Sequence, residues 1–552
     1  MRKNAWLIFG ILGLLVVAVA AYFWATGSVD SLFSYRSPLK DTPPAAGVNL
    51  GNPATQRVVY VLIDGLRYDT SLDVTTMPVL NKLRQQGAYA RMTSQAPSFS
   101  EPGYSVLFTG AWPYLSDGPA LNLDYDEIPT WTQDNVFSSL NRAGLKTGVS
   151  AYNWFEKLIP QQDVDVSYYT EGDDRKADEE VMSAALPMLD DTRNQFVFVH
   201  LDQVDYAGHH EGGPKDARWN EAAARTDAML GQILEKLDLS RDTIIVTSDH
   251  GHIDAGGHGG QDAVALVEPF VIAGAGIKTG DFGDVNMVDV APTITTLLGA
   301  ALPATTQGRA LTELLTLPAG TEAMLKDATI NQQNQLVKIV AAAIGQSYDV
   351  TQISSPTVQG FQALLLQIWD GKITQERIWF FLIAITALAA SVFGLSRIRW
   401  EKLRWMLIAA VIYVILFNIY YVLILGGTYS FSSVLSVTGM IVNLSLGTAV
   451  CLLVSWLLLM GVMRGISKAT HETLVVNAQS TLQFIYVVLF LLSIPVWVSV
   501  ALNGFMVTWR LPDFASHFAA LVSLIQILFA ALIGLLLTGI GALLSRSSMK
   551  AK

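Results

Sequence analysis

Apolar positions are unevenly spread along this chain. An uncharged run from Ala5 to about Thr26 follows Met1-Arg-Lys-Asn. Five more apolar runs come after a long mixed region, at roughly 377–396, 405–425, 433–463, 481–502 and 517–544. Each can cross a hydrocarbon core of about 30 Å, which takes about 20 helical residues. The pattern predicts six membrane-crossing helices. From Arg57 to about Gln307, short β-branched runs alternate with helical stretches. Val58–Ile63, Thr147–Ala151, Phe196–Leu201, Ile244–Thr247 and Phe270–Ile272 are expected as strands. Met77–Gln86, Val136–Ala143 and Asp216–Leu237 are expected as helices. Continuous apolar strands separated by helices predict an α/β fold with a mostly parallel sheet covered on both faces.

These patterns divide the chain into an anchor (1–26), a tether rich in Ser, Pro and Gly (27–56), an α/β domain (57–307), a helical stalk (308–376) and a five-span bundle (377–552). Basic residues cluster at Arg2/Lys3, Arg397/Arg399/Lys402/Arg404, Arg464/Lys468 and Arg546/Lys550/Lys552. With six spans, all four clusters fall on one side, which the positive-inside rule makes cytoplasmic. Both termini are then cytoplasmic and the α/β domain extracytoplasmic. A cleaved signal peptide is the competing reading of the first run, since Ala18-Val19-Ala20 mimics a cleavage site.

Composition narrows the function classes. The chain has 552 residues, is 51% hydrophobic and carries a formal net charge of −11. Its acidity is concentrated in the middle region, which would repel nucleic acid. The single cysteine, Cys451, lies inside an apolar run and leaves no disulfide framework or thiolate metal site. The middle region has no Asn-x-Ser/Thr acceptor, which favours a bacterial or archaeal plasma membrane; an ER membrane is expected if the source is eukaryotic. The last five spans hold almost no ionisable side chains, which argues against an ion pathway.

Three expected strands end in metal-ligand residue types: Val58-Val-Tyr-Val-Leu-Ile-Asp64-Gly, Phe196-Val-Phe-Val-His-Leu-Asp-Gln-Val-Asp205-Tyr-Ala-Gly-His209, and Ile244-Ile-Val-Thr-Ser-Asp249-His250-Gly. His258 follows in Gly256-Gly-His-Gly-Gly. In open α/β sheets, ligands bind beyond the carboxyl ends of strands. Six of the eight histidines fall between His200 and His258. Imidazole and carboxylate without thiolate suit zinc, manganese or iron. A nucleophile is available in Ala96-Pro-Ser-Phe-Ser100-Glu-Pro-Gly-Tyr-Ser, where a hydroxyl at a helix start could be ionised by a metal. The plainer reading of Ser100 is a helix cap.

The order Asp64-Gly, Pro-Ser-Phe-Ser100-x-Pro, Asp205-x-x-Gly-His209, Asp249-His250-Gly and His258 resembles the alkaline-phosphatase superfamily. It is most similar to the nucleotide pyrophosphatase/phosphodiesterases and the GPI ethanolamine-phosphate transferases. The resemblance implies two divalent ions, Zn2+ with Mn2+ as the alternative. One would be held by Asp205, His209 and His258, and the other by Asp64, Asp249, His250 and the Ser100 oxygen. It implies Ser100 as nucleophile and Asn122 as an oxyanion-stabilising residue. It also implies a phospholipid or other phosphodiester substrate and transfer of a head-group such as phosphoethanolamine to a surface glycan or lipid, with diester hydrolysis as the alternative. Two departures stand out: Tyr104 replaces the transferases' usual His, and His252 and Asp254 are extra polar residues read as lying behind the ligands or at the surface. His200 is read as a strand-end hydrogen-bonding residue. A sulfatase is disfavoured because no arginine follows Ser100-Glu-Pro-Gly. A non-enzymatic scaffold is disfavoured because all seven ligand positions carry competent side chains.

Overall fold

The structure, a computed structural model, describes residues 2–349, 357–469 and 478–550, so His471 lies outside the described residues. The chain forms two units: Leu32–Ile373 with Thr508–Leu511, and Met1–Ser31 with Thr374–Val507 and Pro512–Lys552.

The first unit is built on an eight-stranded sheet. Its strands are β1 (Arg57–Ile63), β2 (Ala88–Thr93), β3 (Lys146–Tyr152), β4 (Val166–Thr170), β5 (Asn194–Leu201), β6 (Asp242–Thr247), β7 (Val267–Gly274) and β8 (Gly280–Asn286), in the order β4-β3-β5-β1-β6-β7-β2-β8. Only β7 runs against its neighbours, so the sheet is mostly parallel. All seven residues of β1 are buried. Strand alternation divides them between two layers: Val58, Tyr60 and Leu62 join one core with Phe108, Phe137 and Phe198, and Val59, Val61 and Ile63 join another with Leu80, Val181 and Trp219. Helices therefore cover both faces, and a strand buried on both sides reads as a continuous apolar run.

β5, β1 and β6 are parallel neighbours at the centre. Leu62 pairs with both His200 and Thr247, so the three carboxyl ends finish level. The residues that follow them share one edge of the sheet.

Two segments outside the sheet are packed against it. One is the stretch 27–56. Helix Arg2–Phe33 continues through its start, and beyond it Tyr35, Leu39 and Leu50 are buried. The Arg36 guanidinium pairs with buried Asp117, which also accepts from Ser37 N at 3.0 Å. The other is the described part of 308–376. Helix Thr321–Ala343 buries Leu336, Val337 and Val340 with Ala111, Leu115 and Phe361, and Gln332 and Gln333 each donate to the Thr306 carbonyl at 2.9 Å. Apolar residues spaced among polar ones fasten both segments to the sheet domain.

Among the described residues, six helices are long and apolar enough to cross a membrane: Leu7–Phe33, Val358–Leu395, Trp400–Ile424, Val437–Met463, Ala478–Asn503 and Phe514–Ala542. Small residues let backbones approach, as is common between membrane helices. A side chain at Gly10 would collide with Leu482, and one at Gly13 with the Tyr486 hydroxyl.

Candidate metal centre

Asp64 follows β1 directly and is held in place from behind. His200 Nε2 lies 2.9 Å from Asp64 Oδ2, and the Tyr104 hydroxyl donates to the same oxygen. Tyr104 is thus buried behind a carboxylate, not exposed at a substrate surface. Asp64 Oδ1 has no hydrogen-bond partner. Asp249 and His250 follow β6 across the turn from Ser248. Asp249 Oδ1 accepts from Gly65 N at 3.2 Å, while its Oδ2 is also unpartnered. Gly65 has φ +68°, a left-handed conformation that glycine adopts without strain.

His250 Nε2 sits 3.4 Å from Asp64 Oδ1, 3.3 Å from Asp249 Oδ2 and 3.2 Å from Ser100 Oγ. Ser100 is the first residue of helix Ser100–Thr109, whose N-cap is Phe99. Its hydroxyl faces the cluster and does not cap the helix. Asn122 Nδ2 donates to Ser100 Oγ at 3.4 Å, and Asn122 Oδ1 accepts from Glu101 N at 3.1 Å. The Glu101 carboxylate in turn accepts from Leu123 N at 2.9 Å. Glu101, absent from the sequence reading of the site, fastens the Asn122 loop against the helix start.

The other half comes from a helix and a loop. Asp205 and His209 share one face of helix Gln203–His210 at a four-residue spacing. His209 Nε2 is 3.6 Å from Asp205 Oδ2 and 2.8 Å from His258 Nε2. His258 Nε2 is 3.6 Å from Asp205 Oδ1. His252 is fully buried, with Nε2 2.8 Å from Asp205 Oδ1. The sequence reads His252 as lying behind the ligands or at the surface; its ring is buried within donor distance of Asp205, His250 and His258. Asp254 bonds Arg67 and Lys215 at the surface, and exposed His210 stacks on Tyr206.

These residues form three overlapping groups whose donor atoms lie within 4.8 Å of one another: Asp205/His250/His252/His258, Asp64/Asp249/His250 and Asp64/His200/Asp202. Burial pushes the His250 imidazole down to about 4 and His258 well below its usual range, so both rings are neutral at physiological pH. Burial, reinforced by Asp64 and Asp205, holds the Asp249 carboxyl well above the usual carboxylate range. Two orphaned carboxylate oxygens, neutral imidazoles and crowded negative charge are the features that divalent cations relieve. Donors on one tetrahedral zinc sit roughly 3.3 Å apart, given bonds of about 2.0–2.1 Å. The His250–Asp64 and His250–Asp249 separations match that spacing.

Residues 58–115 and 118–295 match the family model described as type I phosphodiesterase/nucleotide pyrophosphatase. The catalytic subunit of human GPI ethanolamine phosphate transferase 2 is 27% identical over 297 residues, covering 49% of this chain and 29% of that protein. GPI ethanolamine phosphate transferase 2 of Aspergillus fumigatus is 24% identical over 331 residues, covering 54% and 42%. The chain thus spans less than half the length of these relatives. Among solved structures, human ectonucleotide pyrophosphatase/phosphodiesterase 5 aligns at 14% identity and TM-score 0.39, covering 47% of this chain and 100% of that one. Alkaline phosphatase PafA aligns at 12% identity and TM-score 0.38, covering 48% and 100%. Over residues 58–115 and 118–295 the chain is thus similar to the type I phosphodiesterase/nucleotide pyrophosphatase family, and across about half its length to GPI ethanolamine phosphate transferases.

Proposed function

We propose that this chain is a membrane-anchored, two-metal phosphotransferase that uses Ser100 as nucleophile and moves a phospho-head-group such as phosphoethanolamine from a lipid donor to a surface glycan or lipid. The observation that carries this reading is the position of Ser100 Oγ, between His250 Nε2 and Asn122 Nδ2 at a buried helix start. Zn2+, or Mn2+, held by the Asp and His side chains would supply Lewis-acid activation of the attacking oxygen and neutralise charge on the phosphoryl oxygens. Ser100 Oγ attacks phosphorus in line, and the Ser–O–P bond forms as the donor's ester oxygen leaves. Asn122 Nδ2 and the amides at the helix start are placed to donate to the non-bridging oxygens. An acceptor alcohol then attacks phosphorus, and the Ser100 oxygen leaves and regains a proton.

The six apolar helices and the relatives named as GPI ethanolamine phosphate transferases support a lipid-linked donor. The basic clusters support cytoplasmic termini and an extracytoplasmic sheet domain. Water as the acceptor gives the second reading, a phosphodiester hydrolase, which the family description favours. The test is the mass of the Ser100 peptide after metal-loaded protein is incubated with membrane lipids. A phosphoethanolamine-sized adduct that is absent in Ser100→Ala is expected. No adduct together with no cleavage of a model diester would sink both readings; no adduct with cleavage retained would favour hydrolysis.

A further inference from the structure

We propose that His252 is a metal ligand beside Asp205 and His258, and that His209 is the exchangeable member of that group. The inference rests on the two-metal reading above and goes beyond it in reassigning which imidazole holds the ion.

Three buried histidines share one arrangement. Nδ1 of His250 faces the Gly251 carbonyl at 3.2 Å, Nδ1 of His252 faces the Gly256 carbonyl at 2.8 Å, and Nδ1 of His258 faces the Ser98 carbonyl at 2.8 Å. A carbonyl only accepts, so each Nδ1 donates there, which turns Nε2 of each ring toward the cluster. This tether is how proteins orient metal-ligating imidazoles. Nε2 of His250 lies 3.3 Å from Asp249 Oδ2 and 3.4 Å from Asp64 Oδ1, and Nε2 of His258 lies 2.8 Å from His209 Nε2 and 3.6 Å from Asp205 Oδ1. For His252 the neighbour of Nε2 is Asp205 Oδ1, at 2.8 Å, and both atoms belong to a group of four side chains able to hold one ion, Asp205, His250, His252 and His258. A cation bound there takes the place of a proton between them.

The fold makes room for this ring. A Cβ on Gly65 would lie 2.7 Å from His252 Nε2, and one on Gly208 would collide with the ring itself. Two glycines, one in the turn after β1 and one in helix Gln203–His210, thus admit an imidazole to the middle of the cluster. His209 lacks this support: its side chain is 34% exposed and its ring reaches the group only through His258 and Asp205. Four protein ligands close a zinc site, whereas a catalytic site keeps one position open. A His209 that swings aside would open such a position while Asp205, His252 and His258 keep the ion.

The test uses the full chain in detergent, stripped with a chelator and refilled with Co2+, reading ions per chain and the visible d–d spectrum. Wild type is expected to hold two ions and His209→Ala to keep both, with a changed spectrum. His252→Ala is expected to keep one. His252→Gln separates ligation from positioning, because its amide can still donate to Asp205. Recovery of both ions in His252→Gln, an unchanged spectrum in His252→Ala, or loss of both ions from His252→Ala would overturn the assignment. A wild-type chain that takes up no Co2+ would instead remove the two-metal reading itself.

Discussion

The two halves of the metal centre are built differently. Asp64, Asp249 and His250 follow the central strands β1 and β6 directly, are almost wholly buried, and inherit their positions from a paired sheet. Asp205, His209, His252 and His258 come from a short helix and a loop, and His209 is partly open to solvent. Under the proposed mechanism, the strand half would hold the serine and a phosphoryl group in fixed geometry. The helix-and-loop half would exchange a ligand as an acceptor enters.

The largest effect that could break this contrast is loss of the nucleophile. Ser100→Ala is expected to reduce turnover by several orders of magnitude, as removal of a covalent nucleophile does. Metal content should stay at the wild-type level, because the carboxylates and imidazoles remain. Turnover that survives in Ser100→Ala would mean that the strand half merely supports chemistry done by the other. Next in size is Asn122→Ala, expected to lower kcat by about 10²–10³-fold, the usual cost of one oxyanion donor. Its KM should change far less. A change confined to KM would move Asn122 from stabilising charge to gripping substrate.

The two halves were not equally legible in sequence. β1, β5 and β6 are continuous buried runs, and each ends close to the residue types that metals require, so Asp64, Asp249 and His250 could be placed from pattern alone. β8 could not: Gly280–Asn286 lies at the sheet edge, only Val285 in it is buried, and its pairing with β2 uses backbone groups that leave no side-chain signature. β2 and β4 also alternate or expose too many residues to stand out. The burial of His252 was hidden in the sequence for a related reason. Its burial depends on Gly65 and Gly208, which are distant in sequence, and nothing near residue 252 announces them. The fastening of 27–56 likewise depends on Asp117, far along the chain.

Removing the metal tests the charge argument with a smaller, graded effect. In the metal-free protein the raised Asp249 carboxyl binds a proton more tightly when folded than when unfolded. Its contribution to stability is therefore full below the unfolded carboxylate range, near 4, and is lost as pH rises through the folded value. The melting temperature of the metal-free protein should fall across that window. With Zn2+ in excess the trend should reverse, because ligands must shed protons to bind. Parallel pH profiles with and without metal would mean that the cluster does not bind the ion where proposed.

The smallest effect is a control on the same physics away from the site. Glu268 lies on β7 opposite Met92, is fully buried, and uses one oxygen to accept from Ser94 Oγ at 2.7 Å. Its other oxygen has no partner. Burial holds this carboxyl well above its usual range, so the folded chain keeps it neutral where the unfolded chain ionises it. Folding thus loses stability as pH rises above the unfolded value of about 4.3, at about 1.4 kcal/mol per pH unit until the folded group also ionises. Glu268→Gln preserves the shape and the acceptor for Ser94 but cannot titrate. Its melting temperature should meet wild type at low pH and exceed it increasingly toward neutrality, with Zn2+ saturating throughout and diester turnover unchanged. Curves that stay parallel from pH 5 to 8 would show that Glu268 is not held neutral. A turnover change would show that this strand reaches the metal centre, and that the site's electrostatics extend beyond the two halves compared here.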